Sequence, residues 1–161
     1  MQSPETLSEL FRANGRKITA QRTCIFRALA GDVTHPSAER VHQRVVHEMP
    51  NVSLKTVYQT LNELVELGAI SVLDVGTGSA RFDPNVEGTH HHLVCRSCGK
   101  VRDLAADFSD LKVSAVGAQG FVVDSAEVVF RGLCDECREP QISQAPQPTT
   151  EEKGTYQPWQ H

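Results

Sequence analysis

Apolar residues recur every three or four positions through the first seventy residues, a spacing typical of helices that bury one face. The first two apolar stripes consist of Leu7, Leu10, Phe11, Ile25, Ala28 and Leu29. Thr19 is suited to cap the second helix, and a third helix is predicted to begin near Ser37 and to end at Pro50. The pattern therefore predicts a helical N-terminal region.

The segment NVSLKTVYQTLNELVELG predicts a fourth helix, with Ser53 as its N-cap and Gly68 as its stop. Its apolar face consists of Leu54, Val57, Leu61, Leu64 and Val65. Its opposite face carries Lys55, Tyr58, Gln59 and Asn62 in one sector. These hydrogen-bonding side chains suit phosphates and base edges, and an ordinary solvent-exposed face is the alternative.

Two short strands are predicted after the fourth helix, ISVLDV at 70–75 and ARFD at 80–83, around a GTGS turn. A series of helices, the last with a polar face that could read DNA, followed by a β-hairpin is typical of a winged helix-turn-helix domain. In that arrangement the second helix of the turn enters the major groove of DNA, and the hairpin contacts the backbone.

The pattern changes after Asp83, where DPNVEGT forms a polar linker. Strands are predicted in HHLVC, GKVRDL and VVDSAEVVFRGLC, with a short helix in DFSDLKVSAVGA. The expected fold class is α+β, with a winged helix-turn-helix domain at 1–84 and a small α+β domain at 85–140. The polar tail at 141–161, rich in Pro, Gln and Thr, is predicted to be disordered.

Charge is uneven along the 161 residues, whose net charge is −4. Residues 1–70 hold eight Lys/Arg against seven Asp/Glu, whereas residues 71–161 hold eight against thirteen. This distribution favours an anion-binding N-terminal half. No apolar run approaches the ~20 residues that a bilayer requires, and the N-terminus does not resemble a secretory signal. A cytoplasmic protein with no membrane partner is therefore expected.

Four of the five cysteines form two Cys-x-x-Cys pairs, CRSC and CDEC. Two such pairs in one small domain are typical of a closed tetrahedral zinc site, in which no position is left open for a substrate. The predicted structural zinc ligands are Cys95, Cys98, Cys134 and Cys137. Two disulfides or a redox-active pair are the alternatives. The fifth cysteine, Cys24, is expected to be a small buried apolar residue.

The segment THHHLV offers a second group of metal ligands. On a strand His90 and His92 share a face, so both imidazoles can reach one metal while His91 points away. Asp103, in the next strand, could join them, as could His35 before the third helix and Asp83 at the linker. A metal bound by both domains fixes their relative orientation. Imidazoles and carboxylates suit Mn(II), Fe(II) and Zn(II).

The sequence resembles the ferric uptake regulator family over nearly all of residues 5–138. The resemblance rests on GRKITAQR, THPSAERVH, NVSLKTVYQTLNELVELG, RFD, HHHLVCRSCGKVRD and GLCDEC, in that order and spacing. It implies an N-terminal winged helix, a C-terminal dimerisation domain, and a homodimer that represses transcription by binding palindromic double-stranded operator DNA. A divalent metal would act as co-repressor.

The resemblance also implies roles for individual residues. The regulatory metal ligands carry over as His35, Asp83, His90, His92 and Asp103. The residues that read the groove would be Lys55, Thr56, Tyr58, Gln59 and Asn62, and those that hold phosphates Arg16, Lys17, Arg22 and Arg81. A further metal site of many members is not expected, because Thr89 and Ala126 cannot act as ligands.

Asp103 stands where iron-uptake members usually carry Glu, which makes this chain similar to the peroxide-sensing branch of the family. In that branch Fe(II) reacts with hydrogen peroxide and a ligating histidine is oxidised, here His35 or His90 by analogy. Mn(II) in the same site would repress without reacting. An iron- or zinc-uptake repressor is the alternative. A thiol or metal enzyme is disfavoured, because the chain shows no candidate nucleophile with its base.

Overall fold

The N-terminal half contains four helices followed by a two-stranded antiparallel sheet. The computed structural model describes residues 2–76, 78–86, 88, 90–108, 110–123 and 126–138. The tail at 141–161, Thr89 and one residue of the GTGS turn, Thr77, lie outside the described residues. The helices are α1 (Pro4–Ala13), α2 (Ala20–Leu29), α3 (Ala38–Glu48) and α4 (Leu54–Glu66), and the strands are β1 (Ser71–Leu73) and β2 (Arg81–Asp83).

Each of these four helices begins at a hydroxyl side chain that accepts a backbone N–H. The caps are Ser3, Thr19, Ser37 and Ser53. The two predicted caps, Thr19 and Ser53, are therefore confirmed, as is the predicted start of a helix near Ser37. Helix α4 ends at Glu66 and is followed by Gly68, whose φ of +66° lies in the left-handed region that glycine tolerates and so stops the helix. Single residues therefore define the limits of the helices.

The helices pack around a core of aromatic and aliphatic side chains. The rings of Phe11 and Phe26 meet edge to face, with centroids 5.0 Å apart. Leu61 and Leu64 of α4 are fully buried beside them. Cys24 is also buried in this core, as predicted from its apolar character.

The C-terminal half contains a three-stranded sheet in the order β4-β3-β5. Strand β3 (His91–Cys95) pairs antiparallel with β4 (Val101–Leu104) and parallel with β5 (Val129–Gly132). Two short helices complete it, α5 (Ala115–Ala118) and α6 (Asp135–Arg138). No helix among the described residues is long and apolar enough to cross a bilayer.

The last predicted helix and the last predicted strand are both shorter than expected. The helix predicted over DFSDLKVSAVGA is limited to α5, because Ser114 accepts the N–H of Gly117 and so starts the helix there. The strand predicted over VVDSAEVVFRGLC is limited to β5, where the backbone pairs with β3.

The hairpin of the N-terminal half rests on the C-terminal sheet. Leu73 and Val75 form a buried cluster with Val94 and Val101. Two guanidinium groups reinforce this contact, since Arg131 donates to the Val75 carbonyl at 2.6 Å and Arg81 to the Gly99 carbonyl at 3.2 Å. The domain limits of 1–84 and 85–140 stay predictions.

Replacing Leu61 by Ala should lower the free energy of unfolding by about 2–5 kcal/mol, because a fully buried side chain leaves a cavity. Urea denaturation followed by circular dichroism measures the change. The control is Asn62→Ala, on the exposed side of the same helix, which should alter stability by less than about 0.5 kcal/mol. Equal losses in the two variants would contradict the buried face assigned to α4.

Candidate metal centres

The two Cys-x-x-Cys pairs come together at one end of the C-terminal sheet. Cys95 ends β3 and Cys98 lies in the turn that leads to β4, while Cys134 and Cys137 lie at α6. The four sulfur atoms lie within 4.8 Å of one another, and all four cysteines are free thiols. The structure therefore contains neither of the disulfides that the sequence left open.

The four sulfurs differ in how readily they lose a proton. Backbone N–H groups, among them that of Cys134 at 3.4 Å, lower the pKa of Cys95 to about 6. Burial and the neighbouring sulfurs raise the pKa of Cys134 to about 12. One thiolate therefore forms easily and opposes the next. A cation among the four sulfurs removes this opposition, and tetrahedral Zn(II) suits four thiolates.

A second group of side chains joins the two halves of the chain, and we call it the His/Asp cluster. It consists of His35, Asp83, His90, His92 and Asp103, whose nitrogen and oxygen atoms lie within 4.8 Å of one another. His35 precedes α3 and Asp83 ends β2, whereas the other three belong to the C-terminal sheet or adjoin it. The register of β3 and β4 places His92 opposite Asp103. The structure thus brings together all five predicted regulatory ligands.

The carboxylate of Asp83 lies at the centre of the cluster. Its Oδ2 is 2.8 Å from Nε2 of His90 and 3.4 Å from Nε2 of His92, and its Oδ1 is 3.4 Å from Nε2 of His35. Asp103 closes another side, with Oδ1 2.7 Å from Nε2 of His35 and 3.9 Å from Nε2 of His92. Three imidazole nitrogens and two carboxylates therefore face one small space.

Several polar atoms of the cluster are buried without a hydrogen bond. His35 and Asp83 are each only 1% exposed, and His92 is 4% exposed. Both ring nitrogens of His35 and Nε2 of His92 form no hydrogen bond of good geometry, although Nε2 of His35 lies 2.7 Å from Oδ1 of Asp103. Buried polar atoms rarely stay unpaired, because desolvation is costly. A divalent cation bound to these nitrogens would satisfy them, so the donor set fits a metal site.

The carboxylates and the imidazoles shift one another's protonation. Burial lowers the pKa of His35, but the charges of Asp83 and Asp103 outweigh it and the net shift is upward. Burial raises the pKa of Asp83, yet His35, the N–H of Asn85 and His90 bring it down to about 2. The cluster therefore attracts positive charge, as protons or as a metal ion.

His35 reaches the cluster from a constrained backbone. Its φ of +50° is uncommon for a residue with a side chain, and such conformations concentrate at functional sites. Asp32 braces the preceding loop, since its Oδ1 accepts the N–H of Thr34 at 2.8 Å and its carboxylate also pairs with Arg44. On the other side, the N–H of Phe82 donates to the Pro36 carbonyl at 3.0 Å, which holds the loop beside β2.

Two residues that the sequence did not indicate support the ligands. Oε1 of Glu127 lies 2.8 Å from Nδ1 of His92. Asn85 donates its backbone N–H to Asp83 at 2.7 Å and its amide N–H to Asp103 at 3.0 Å. The Asp-Pro-Asn sequence could have suggested the Asn85 contact, because aspartate commonly accepts an N–H two residues on. No local signal marks Glu127.

His91 points away from the cluster, as predicted. It is 4% exposed, and its Nδ1 accepts the N–H of Val128 at 3.2 Å. Its ring packs edge to face on Phe108, with centroids 4.7 Å apart. Ala126 is exposed and has no ligating atom, while Thr89 lies outside the described residues.

The predicted DNA-reading residues lie on one helix with mostly exposed side chains. Lys55, Tyr58, Gln59 and Asn62 of α4 are exposed. The hydroxyl of Thr56 lies 2.9 Å from that of Ser53 at the start of the helix. Tyr58 donates to Glu39 at 2.6 Å and lowers the pKa of that carboxyl to about 2.

The four predicted phosphate-binding side chains are in different situations. Arg16 and Arg22 pair with Glu63 of α4 at 3.0 Å and 2.7 Å, so phosphates would have to compete with that carboxylate. Lys17 is exposed. Arg81 instead reaches the C-terminal sheet through the Gly99 carbonyl. Phosphate contact by these residues stays a prediction.

Replacing Cys98 by Ser should remove bound zinc and destabilise the C-terminal sheet, because only three thiolates remain among the four converging ligands. Zinc analysis of the purified protein and hydrogen exchange of β3 and β4 measure the two effects. Cys24→Ala is the control and should keep its zinc, since that thiol lies in the other core. Full zinc content in Cys98→Ser would rule out a four-cysteine site.

Known proteins resemble this chain in sequence and in fold. The model of the ferric uptake regulator family matches residues 13–131. A peroxide-responsive repressor of Staphylococcus aureus is 32% identical over 136 residues, which cover 84% of this chain and 90% of that protein.

Solved structures of this family have a similar fold. The ferric uptake regulator of Helicobacter pylori, described as having three functional metal binding sites, matches with a TM-score of 0.71 and 26% identity over 88% of this chain and 99% of that one. The ferric uptake regulator of Pseudomonas aeruginosa with manganese matches with a TM-score of 0.61 and 26% identity, over 80% and 97% respectively.

These likenesses confirm the α+β fold with an N-terminal winged helix-turn-helix and a C-terminal dimerisation domain. They also exclude the alternative of a thiol or metal enzyme, because the matched proteins are transcriptional regulators. The chain belongs to the ferric uptake regulator family of metal-responsive regulators.

Proposed function

We propose that this chain is a metal-dependent transcriptional repressor that senses hydrogen peroxide at the His/Asp cluster. The observation that carries the proposal is the cluster itself, in which buried imidazole nitrogens without partners face two carboxylates drawn from both halves of the chain. The 32% identity to a peroxide-responsive repressor and the aspartate at position 103 favour peroxide as the signal.

The two metal centres have different tasks in this proposal. Zn(II) held by Cys95, Cys98, Cys134 and Cys137 stabilises the C-terminal sheet permanently, because four thiolates leave no open position. Fe(II) or Mn(II) held by the His/Asp cluster is exchangeable and regulatory. Its nitrogen and oxygen ligands are harder than thiolates and suit these two ions.

Metal at the His/Asp cluster controls DNA binding because the ligands belong to both halves. His35 and Asp83 come from the winged-helix half, and His92 and Asp103 come from the C-terminal sheet. Without a cation, the two carboxylates repel each other and weaken the contact between the halves. With one, the halves are fixed in the orientation that presents α4 to operator DNA.

Repression requires a homodimer on double-stranded operator DNA. Apolar side chains between β4 and β5 are exposed, namely Leu111, Val113, Phe121, Val122 and Val123. Phe121 is 81% exposed and Val122 is 93% exposed, which is typical of a surface that a second subunit covers. Two subunits related by a twofold axis place two α4 helices on the half-sites of a palindrome.

Peroxide reaches the cluster from its solvent side. The side chain of His90 is 17% exposed and that of Asp103 is 30% exposed, whereas Asp83 and His35 are buried. Bound Fe(II) would supply the one electron that cleaves the O–O bond of hydrogen peroxide, chemistry that Mn(II) in the same ligands would not supply. His35 and His90 are the side chains that we expect to be oxidised, and an oxidised imidazole ligates poorly. Loss of either one as a ligand would weaken the metal-dependent link between the two halves.

An iron-, manganese- or zinc-uptake repressor of the same family is the second candidate. The high TM-score with the Helicobacter pylori ferric uptake regulator favours it, as does the ability of the same ligands to bind several divalent ions. Cytoplasmic location follows in either case from DNA as the partner. Sensitivity to peroxide separates the two candidates.

The repressor should bind DNA with Fe(II) or Mn(II), and peroxide should abolish binding only with Fe(II). Duplexes selected from a randomised pool in the presence of Mn(II) provide the probe, and a gel mobility shift without oxygen measures binding. Loss of the shift with iron and peroxide, but not with manganese, supports peroxide sensing. A shift that peroxide leaves unchanged with either metal supports the uptake repressor.

Matched variants show whether the His/Asp cluster is the regulatory site. His90→Ala and Asp103→Ala should each lose the metal-dependent shift while zinc content and dimer mass stay as in the wild type. His47→Ala, an exposed histidine of α3, is the control and should bind like the wild type. Unaltered DNA binding in both cluster variants would refute the separation of structural and regulatory sites.

Mn(II) affinity should rise with pH through 6.5 and continue to rise above it. Protons compete with the metal for imidazole nitrogens, and Asp83 and Asp103 keep the pKa of His35 above its ordinary 6.5 despite burial. Asp83, with a pKa of about 2, stays ionised throughout and adds no pH dependence.

The same shift affects the metal-free protein in the opposite sense. Protonated His35 stabilises it fully below pH 6.5, and this contribution is lost as the pH rises through the higher pKa of the folded state.

Electron paramagnetic resonance of free Mn(II), titrated between pH 6 and 8.5, measures the predicted rise in Mn(II) affinity. A flat affinity over this range would contradict the participation of His35.

A further inference from the structure

We propose that Glu127 is a positioning residue of the regulatory site, which fixes the ring of His92 so that its Nε2 lone pair faces the metal. This inference rests on the proposed function, since it assigns a partner to one of the regulatory ligands. Glu127 lies two residues before β5. The pairing of His92 with Val129, and the donation of the His92 N–H to the Val128 carbonyl at 3.0 Å, bring it beside His92.

The contact determines which ring nitrogen carries a proton. Nδ1 of His92 lies 2.8 Å from Oε1 of Glu127, and an ionised carboxylate only accepts hydrogen bonds. Nδ1 must therefore carry the hydrogen, which leaves Nε2 of the neutral ring with its lone pair. Metal-binding histidines commonly have such a carboxylate behind them, and it raises their basicity as ligands.

The surroundings of Nε2, the other ring nitrogen of His92, show why the position of this proton matters. Nε2 of His92 is buried without a hydrogen bond, 3.4 Å from Oδ2 of Asp83 and 3.9 Å from Oδ1 of Asp103. If Nε2 carried the only proton, His92 could donate to Oδ2 of Asp83, and no lone pair would face a metal. With the proton on Nδ1 and hydrogen-bonded to Glu127, the lone pair of Nε2 faces the carboxylates of Asp83 and Asp103. Only a cation between them satisfies all three groups.

His92 differs in this respect from the other two histidines of the cluster. The carboxylates of Asp83 and Asp103 approach His35 at Nε2, and Nδ1 of His90 lies 3.5 Å from the Gly88 carbonyl, at the limit of a hydrogen bond. Among the described residues, His92 is the imidazole of the cluster with a carboxylate on its second nitrogen. Loss of Glu127 should therefore act through His92.

Glu127 can be replaced without disturbing a core, because its side chain is 50% exposed. Glu127→Ala removes the acceptor, while Glu127→Gln keeps an acceptor oxygen and removes the charge. Glu9→Gln, on the exposed side of α1, is the control for the loss of one negative charge far from the cluster. All variants are full-length and zinc-loaded.

The first measurement is Mn(II) affinity by electron paramagnetic resonance. We expect affinity to fall about 10–100-fold in Glu127→Ala and less in Glu127→Gln, with Glu9→Gln like the wild type. The second is nitrogen-15 NMR of the histidine rings in zinc-loaded protein without Mn(II). A proton should be present on Nδ1 of His92 in the wild type and absent from it in Glu127→Ala.

The outcomes separate this inference from the proposed function. Wild-type affinity in both Glu127 variants, or an Nδ1 of His92 without a proton in the wild type, overturns the role of Glu127 alone. If the wild type and His90→Ala bind Mn(II) equally, the cluster is not the regulatory site and both proposals fail. Should Glu127→Ala fail to fold, the nitrogen-15 spectrum of the wild type still tests the role of Glu127, because it shows directly whether Nδ1 of His92 carries a proton.

Discussion

The buried carboxylate of Asp83 is the constraint on which the arrangement of the two halves depends. It is 1% exposed, and three imidazoles approach it within 3.4 Å. A charge removed from water in this way has to be compensated by positive charge nearby. Protons on the histidines can supply it, and so can a divalent ion. The contact between the winged helix and the C-terminal sheet is therefore linked to whatever cation the cluster holds.

The hairpin carries this link into the rest of the molecule. Asp83 ends β2, and the same strand contributes Phe82 to the N-terminal core and Arg81 to the cysteine-rich end of the C-terminal sheet. Three consecutive residues thus contact the helical core, the His/Asp cluster and the zinc-binding turn. A shift of this strand affects all three at once, because packed interiors transmit displacements instead of absorbing them.

The sequence predicted those features that single residues or short spacings determine. Ser37 and Ser53 define helix starts through one side-chain oxygen each, and the alternation of β3 separates His92 from His91. It did not predict the contact of Glu127, which depends on the register between β3 and β5 across 35 residues. Nor did it predict the length of β5, since pairing with β3 and not local propensity decides where that strand begins.

The arginine pairs at the start of the chain bear on how DNA competes with the protein's own charges. Arg16 and Arg22 both contact Glu63, on the helix that carries the reading face. Their side chains are 26% and 16% exposed and that of Glu63 is 12% exposed, and Arg22 lies 2.7 Å from both Glu63 oxygens, so solvent screens these pairs only in part. If DNA phosphates bind these arginines as predicted, they must displace a well-paired carboxylate, and counterion release is the gain that would offset this cost. The intramolecular pairs hold the two guanidinium groups beside α4, which is where the predicted phosphate contacts would compete with Glu63.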